Sequence, residues 1–207
     1  MSTLVSVKPY DGIFDGQKHY RTLLQCTARP GLIGQLDDVE LDVPPYLNRA
    51  TALIVLALFT GDISFYLEQG DEHAMNFIQR ETAARPETAD QADFLILHDA
   101  NLLAEVSEVR VGSLSYPDMG ATAIVQVEAI SPAPLPGCLR LRLTGPGIEV
   151  ETVVFVLGAS ESFFETRCEL NAEFPMGLDV FLTCDSLSAG PCVLALPRTT
   201  RVDWERI

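Results

Sequence analysis

The hydrophobic pattern of this chain changes at Tyr116-Pro117, and that change limits the folds that it can adopt. Before this point, amphipathic helical stretches are separated by short apolar runs that are typical of single buried strands. After it, several strand-like runs follow one another with mainly turns between them. Both patterns together favour an α/β fold in which helices cover the two faces of a mixed sheet. We therefore predict a three-layer α/β/α sandwich, formed by residues 1–207 as one domain.

The first half of the chain contains four predicted helices and two predicted strands. Helical spacing of apolar residues, preceded by the capping residues Asp15, Asn48 and Asp99, indicates where three of the helices begin. The predicted helices span residues 15–28, 48–59, 71–84 and 99–106, and the predicted strands span 63–67 and 94–97. The residues that we expect to face the core are Tyr20, Leu23, Leu24 and Thr27 in the first helix and Ala74, Phe77 and Ile78 in the third.

The second half contains mostly strands. Residues 121–130 alternate between two faces, and residues 139–144 alternate leucine with arginine or threonine, as in a half-exposed strand. Further apolar runs indicate buried strands at 150–157, 178–183 and 192–196, and an amphipathic helix is predicted at 160–170.

The charge of the chain excludes several classes of function. The sequence has 14 Lys and Arg residues against 29 Asp and Glu residues, which gives a formal net charge of −15. Phosphate backbones and anionic lipid surfaces both select for clustered basic residues, so neither a nucleic acid nor a membrane is an expected partner. Lys8 and Lys18 are the only lysines, so the body of the fold can supply neither a Schiff-base lysine nor a Walker lysine.

The N-terminus and the cysteines predict a cytoplasmic protein. The sequence begins MSTLVSVKPYDG, without the basic and apolar segments of a secretory signal. The longest nearly apolar stretch, residues 50–59, is about half the length that crosses a bilayer. Five cysteines without a CxxC pair suggest neither a disulfide framework nor a zinc ribbon. Because His19, His73 and His98 have no metal-ligand spacing, we expect no metal site.

Three short motifs each leave two interpretations. Gly145-Pro146-Gly147 follows a strand as a nucleotide-binding loop would, but proline removes an amide, and an ordinary tight turn is favoured. His98-Asp99 could be a base and its orienting acid, although a helix cap is more common. Cys184 lies at the end of a strand, yet without a histidine partner in the sequence it is more typical of a small buried residue.

The most promising polar cluster is Arg198-Thr199-Thr200-Arg201. It follows a buried strand, where α/β proteins often bind ligands, and Arg and Thr side chains can bind a phosphate or carboxylate. The alternative, which we favour, is that Arg198 has a structural role. Asp179 lies in an apolar strand and needs a partner, for which Arg142 and Arg198 are the candidates. The candidate anion-binding residues are Arg142, Asp179, Arg198, Thr199 and Thr200.

Six segments along the chain resemble the PhnH family of bacterial phosphonate metabolism. The most specific are LRLTGPGI, FPMGLDVFLTC and LALPRTTRV, at residues 141–148, 174–184 and 194–202. The others lie at residues 20–31, 48–59 and 118–127. The resemblance implies an α/β/α fold similar to that of pyridoxal-phosphate-dependent transferases, without the cofactor, and the position of the lysines independently disfavours pyridoxal phosphate.

The resemblance also implies a function within an assembly. It suggests a subunit of the carbon–phosphorus lyase system, acting with PhnG, PhnI and PhnJ and forming a homodimer in isolation. Such a subunit would support the formation of α-D-ribose 1-methylphosphonate 5-triphosphate from ATP and methylphosphonate. Since no self-sufficient catalytic cluster is visible, a non-catalytic or ligand-assisting role is favoured. The alternative is a phosphonate- or nucleotide-binding transferase with its own anion site around Arg142 and Arg198.

Overall fold

The computed structural model describes residues 8–106, 108–186 and 190–207. Its helices are α1 (Phe14–Ala28), α2 (Arg49–Leu58), α3 (Glu72–Thr82) and α4 (Glu161–Leu170). Its strands are β1 (Ile33–Gln35), β2 (Ser64–Leu67), β3 (Arg85–Pro86), β4 (Phe94–Leu97), β5 (Thr122–Gln126), β6 (Ala129–Ser131), β7 (Leu139–Thr144), β8 (Thr152–Leu157), β9 (Asp179–Ser186), β10 (Gly190–Leu196) and β11 (Arg201–Arg206). Short 3-10 helices occupy Glu68–Gly70, Ala100–Glu105 and Pro117–Met119.

The strands form two sheets. The larger has seven strands in the order β1-β10-β9-β5-β4-β2-β3. Its strands β2, β3, β4, β5 and β9 run parallel, whereas β10 and β1 pair antiparallel, so the mixed sheet that the sequence predicted is confirmed. The smaller sheet is antiparallel, in the order β11-β7-β8-β6.

A separate hydrophobic core lies on each face of the larger sheet. On one face, α1, α2 and α3 pack against side chains such as Phe65, Ile96 and Ile124. On the other face, α4 and the smaller sheet cover side chains such as Leu97 and Val125. The expected second helical layer is therefore largely a sheet. The alternation of β7 explains why, since its leucines are buried in this core while its arginines face outward.

Residues 121–130 do not form the single two-faced strand that their alternation predicted. The segment contributes β5 to the larger sheet and β6 to the smaller one. The crossing is marked by Val127, whose N–H donates to Thr183, and by Glu128, whose N–H donates to Leu157 on the other sheet. Every residue from 123 to 126 is buried because both faces of β5 are covered. Alternation in the sequence therefore did not indicate an exposed face here.

Helix α1 begins one residue earlier than predicted and turns a different face inward. Asp11, and not Asp15, accepts hydrogen bonds from the N–H groups of residues 13 and 14. Asp15 is buried in the first turn, where it pairs with Lys8 at 2.7 Å. Leu23 is buried as expected, but Tyr20 and Leu24 are 46% and 50% exposed. The inward face of α1 is rotated from the predicted one because it is set by His19, Leu23 and Cys26.

The remaining helices and strands agree closely with the sequence, apart from one helix of a different type and three strands that were not predicted. Asn48 caps α2 and Asp71 caps α3, and Ala74, Phe77 and Ile78 are buried. The predicted helix at 99–106 is a 3-10 helix that Asp99 caps. The strands β1, β3 and β11 were not predicted. Within the described ranges, no helix is long and apolar enough to span a bilayer.

Candidate functional site

The carboxyl-terminal ends of four parallel strands meet at one edge of the larger sheet. The strands β2, β4, β5 and β9 all end here, and Glu68, His98, Gln126 and Asp185 each lie at or next to the last residue of one of them. Ligand sites of open α/β sheets commonly lie at such an edge. The sequence did not predict that these four residues lie together, because they are 28 to 117 positions apart.

The amino end of α2 also lies at this edge, and its free amides are already used. The Asp185 carboxylate accepts hydrogen bonds from the N–H groups of Arg49 and Ala50, at 2.8 and 3.0 Å. The Asn48 side chain accepts from the N–H of Thr51 at 2.7 Å. A helix amino end can bind an external anion through such amides. Here the protein's own side chains satisfy them, so α2 offers no phosphate site.

Buried amide groups join this helix to the sheet. The Gln126 side chain accepts a hydrogen bond from the N–H of Asn48 and donates to the carbonyl of Tyr46 at 2.9 Å. The Asn48 side-chain amide donates to the carbonyl of Thr183 at 3.2 Å. The hydroxyls of Thr51 and Thr183 are 2.8 Å apart and both residues are fully buried. This network fixes the loop that carries Tyr46 against the sheet edge.

A histidine and a carboxylate form the most reactive arrangement at this edge. His98 Nδ1 lies 3.0 Å from Glu68 Oε2 and 3.0 Å from the Tyr46 hydroxyl. The Tyr46 hydroxyl donates to the Glu68 carbonyl at 2.6 Å. Burial, reinforced by the Glu68 charge, raises the pKa of Tyr46, so this hydroxyl keeps its proton. Asp99, the partner suggested by the sequence, instead caps the following 3-10 helix.

His98 faces a polar cavity of about 530 Å³. The cavity lies between the sheet edge and the turn before α4. Its polar lining includes Asn48, His98, Asp99, Asn101, Gln126, Glu128, Ser160 and Arg206. Glu68 and Tyr46 do not line it, because they lie behind the His98 ring. The arrangement can therefore present an oriented imidazole to a small molecule.

The predicted pairing of Asp179 with an arginine is confirmed, and the partner is Arg198. Arg198 Nη2 lies 2.6 Å from Asp179 Oδ2, and the Arg198 backbone N–H donates to Asp179 Oδ1 at 2.7 Å. Arg198 Nη1 donates to the carbonyl of Pro117 at 2.7 Å. A Cβ atom added at Gly120 would lie 2.8 Å from Arg198 Nη1, so the backbone is packed closely against this guanidinium. These contacts fix the Arg198 side chain within the protein, which agrees with the structural role that we favoured from the sequence.

The other candidate anion-binding residues do not join this pair. Arg142 lies on the exposed face of β7, where it pairs with Asp203 at 2.8 Å and approaches Glu151 at 3.7 Å. The Thr200 side chain is buried, and its hydroxyl has no hydrogen-bond partner among the described residues. Thr199 is half-buried in the turn between β10 and β11. Among the described residues, no hydrogen bond or ion pair links Arg142 to Arg198 or to the two threonines.

Sequence analysis missed the buried guanidinium of Arg167. This residue of α4 is only 2% exposed, and its guanidinium donates to the carbonyls of Leu196, Pro197 and Thr200 at 2.7 to 3.3 Å. Burial lowers the pKa of Arg167 to about 10. The nearest sequence signal was its position on the same helical face as Phe163 and Phe164. Arg167 therefore fastens the turn that carries Arg198 to α4.

The Gly-Pro-Gly motif and Cys184 have the structural roles that the sequence favoured. Residues 145–148 form a tight turn in which the N–H of Ile148 donates to the carbonyl of Gly145 at 3.1 Å. A Cβ atom at Gly147 would lie 2.3 Å from the carbonyl oxygen of Ala28, so the turn packs directly on the end of α1. The sulfur atoms of Cys184 and Cys192 are 3.0 Å apart and buried. Their hydrogen bond, with burial, raises the pKa of Cys192.

Comparison with known proteins assigns a family. The sequence model of a family described as "Bacterial phosphonate metabolism protein (PhnH)" matches residues 10–203. A Rhizobium meliloti (strain 1021) protein named "Alpha-D-ribose 1-methylphosphonate 5-triphosphate synthase subunit PhnH" is 31% identical over 198 residues, which cover 94% of each chain. The Stutzerimonas stutzeri protein "Putative C-P lyase subunit protein HtxG" is 32% identical over 188 residues, which cover 90% of this chain and 85% of that relative.

Proposed function

Because this chain belongs to the PhnH family of bacterial phosphonate metabolism proteins, as its sequence predicted, we propose that it is a subunit of the carbon–phosphorus lyase system. In this role it supports the formation of α-D-ribose 1-methylphosphonate 5-triphosphate from ATP and methylphosphonate. The observation that carries the proposal is its similarity to a relative named as a subunit of that synthase, over 94% of both chains. The similarity therefore includes both sheets and all four helices.

The polar contacts support a non-catalytic or ligand-assisting subunit rather than an independent transferase. Displacing adenine from ATP requires an anion-binding group and stabilisation of a positively charged sugar carbon. Arg198 is bound by Asp179 and Pro117, and the amino end of α2 is bound by Asp185. Arg142 is paired on an outer surface. In the described part of the chain, the arginines that the sequence suggested thus form no common anion site.

The surface also has properties that suit a subunit. Phe14 and Leu24 on α1 are 72% and 50% exposed. A separate, mainly apolar cavity of about 700 Å³ lies beside Leu32, Ile33 and Ile130 at the edges of the two sheets. Exposed apolar surface of this kind is typical of protein contacts. PhnG, PhnI and PhnJ are the proposed partners, in the cytoplasm, and the isolated chain is proposed to form a homodimer.

We also propose that the fold resembles that of pyridoxal-phosphate-dependent transferases but functions without the cofactor. A Schiff base requires a lysine amine in the site. Lys8 pairs with Asp15 at 2.7 Å, and Lys18, on α1, pairs with Asp37. Neither lysine lies among the residues of the cavity beside His98. The purified protein is expected to show no Schiff-base absorption in the visible region and no adduct after borohydride reduction; a trapped adduct would contradict this.

The subunit proposal is tested by co-expression. The chain is produced with PhnG, PhnI and PhnJ, one of which carries an affinity tag, and growth on methylphosphonate as phosphorus source is measured in a strain that lacks its own PhnH. We expect the chain to co-purify at a fixed ratio and to restore growth. A folded chain that neither co-purifies nor restores growth would overturn the proposal.

A binding measurement on the isolated chain separates the transferase alternative from the proposed role. The isolated chain is titrated with ATP and with methylphosphonate, alongside an Arg198→Ala variant. The proposed subunit role predicts that Arg198 makes no difference to binding. Tight binding that the substitution abolishes would instead support a transferase with its own anion site.

A further inference from the structure

The tautomer of His98 follows from its two hydrogen-bond partners. An ionised Glu68 carboxylate can only accept a hydrogen bond, and the Tyr46 hydroxyl already uses its proton on the Glu68 carbonyl. Both groups within 3.0 Å of Nδ1 are therefore acceptors. The proton of the neutral imidazole must then lie on Nδ1, which leaves Nε2 as a hydrogen-bond acceptor.

This acceptor has no partner in the described part of the protein. The contacts of the His98 ring are all made through Nδ1 and through packing on the Tyr46 ring, at a centroid distance of 4.8 Å. His98 itself lines the cavity of about 530 Å³, whereas both groups that hold it lie outside the lining. In the neutral imidazole, Nε2 is thus an oriented acceptor that is free to bind a molecule in the cavity.

Other side chains of the lining also have hydrogen-bond acceptors that the protein does not use. Asp99 uses one carboxylate oxygen to cap the 3-10 helix and keeps the second oxygen. The exposed Glu128 carboxylate makes no side-chain hydrogen bond within the described ranges, and the Asn101 side chain adds an amide. Gln126 and Asn48 are already satisfied by the protein. Arg206 adds N–H donors, since its one side-chain contact in the described ranges is with Glu161 at 3.4 Å. A ligand that fits this set must supply hydrogen-bond donors and can also offer an acceptor to Arg206.

The charges of the lining distinguish between anionic, cationic and uncharged ligands. Two carboxylates, Asp99 and Glu128, would repel a phosphate or phosphonate group placed among them. The same carboxylates would attract an ammonium group, whereas Arg206, which lies at the same cavity near Glu161, would repel an ammonium group and attract a phosphate. Uncharged hydroxyl groups satisfy histidine, carboxylate and amide partners at once and carry no charge to be repelled.

We propose that the His98 cavity is a binding site for a polyhydroxyl ligand of the sugar class. In this site Nε2 of His98 accepts a hydrogen bond from a ligand hydroxyl, and Asp99 and Glu128 accept from neighbouring hydroxyls. Glu68 and Tyr46 are positioning residues, since they hold the imidazole in the tautomer that accepts. The proposal depends on the geometry of this edge and not on the assignment of the chain as a subunit.

The test uses nuclear magnetic resonance of the full chain with D-ribose as the probe. The chain has three histidines, so long-range proton–nitrogen spectra resolve each ring and report its tautomer. We expect His98 to carry its proton on Nδ1, and ribose to shift its Nε2 resonance. His73 on α3, which lies at a different cavity with Asp42 and Arg80, serves as the internal control.

Matched substitutions then measure the contribution of each histidine. His98→Asn is expected to weaken ribose binding about tenfold, because it removes one hydrogen bond worth about 1.4 kcal/mol. His73→Asn is the control and should leave the affinity for ribose unchanged. Glu68→Ala should move part of the His98 population to the Nε2-protonated tautomer and weaken binding as well. If His98→Asn does not fold, the tautomer and the ribose-dependent shift in the unsubstituted chain still decide the outcome.

Three results would overturn the proposal. The first is a ribose-dependent shift that is no larger at His98 than at His73. The second is an affinity for ribose that His98→Asn leaves intact. The third is tighter binding of inorganic phosphate or of a diamine at His98 than of ribose. None of these results bears on co-purification with the other subunits, so this test and that of the subunit role fail independently.

Discussion

The two polar clusters of the larger sheet lie at opposite edges and are built differently. At the edge where the parallel strands begin, Arg198 and Asp179 neutralise each other under closely packed backbone. At the edge where those strands end, His98 is held from behind by Glu68 and keeps one nitrogen toward a cavity. In the first cluster the Arg198 guanidinium is bound by acceptors of the protein itself, whereas in the second His98 keeps Nε2 as an acceptor for a ligand. The comparison indicates that the first is structural and the second can bind.

The largest effect is expected from Arg167, which belongs to the structural edge. Arg167→Ala removes a buried side chain and takes the guanidinium donor from the carbonyls of Leu196, Pro197 and Thr200, of which Pro197 still accepts from the N–H of Thr200. We expect a loss of about 3 kcal/mol or more in the free energy of unfolding. Denaturant unfolding measures the loss, and the exposed Arg206→Ala is the control, which should unfold at nearly the same midpoint. A stable Arg167→Ala variant would show that the turn does not need this anchor.

Asp179→Ala tests whether the Arg198 pair is structural. It leaves a mostly buried guanidinium without its carboxylate, since the Arg198 side chain is only 14% exposed. We expect a destabilisation of about 2 kcal/mol in chemical denaturation. The matched control is Asp203→Ala, which breaks the exposed pair with Arg142 and should change little. Equal effects of the two substitutions would remove the distinction between these pairs.

A smaller effect is expected at the carboxyl-terminal edge from Asp185. Asp185→Ala leaves the N–H groups of Arg49 and Ala50 at the start of α2 without an acceptor. Loss of such capping costs about 1 kcal/mol. Asp185→Asn, which retains an acceptor oxygen, should recover part of that stability. In thermal unfolding, a variant series in which Asn is no better than Ala would contradict a capping role.

The last effect, of similar size near pH 7 and smaller at higher pH, concerns Tyr46. Burial raises the pKa of Tyr46 above its unfolded value of about 10, so the folded state holds the phenol proton more tightly. Stability from this group is therefore complete below pH about 10 and is lost as the pH rises above it. Tyr46→Phe should destabilise the chain by about 1 kcal/mol near pH 7, through its lost hydrogen bonds. The difference between the two proteins should shrink in unfolding curves at higher pH; a constant difference would contradict the assignment.

The sequence predicted local features well, and it failed where strand direction or distance along the chain mattered. The cap at Asn48, the third helix and the pairing of Asp179 with an arginine all follow from neighbouring residues or from the cost of burying a charge. Arg198 was expected at a ligand edge because it follows a strand. That strand, β10, runs antiparallel to β9, so its end lies at the opposite edge of the sheet.

The contact between Glu68 and His98 could not have been read from the sequence. The two residues are brought together because β2 and β4 are parallel neighbours in the sheet, which spacing along the chain does not reveal. The second sheet was missed for a similar reason. Its strands alternate apolar and polar residues as half-exposed strands do, but this alternation does not reveal which part of the protein their apolar face packs against.

Reconstitution from purified subunits tests the central claim most directly. ATP and methylphosphonate are incubated with the partner subunits and this chain together, with the partners alone, and with this chain alone, and the release of adenine is measured. The account predicts that adenine is released fastest when the partners and this chain are combined, and that this chain alone releases none. Release of adenine by the isolated chain, in exchange for methylphosphonate, would contradict it.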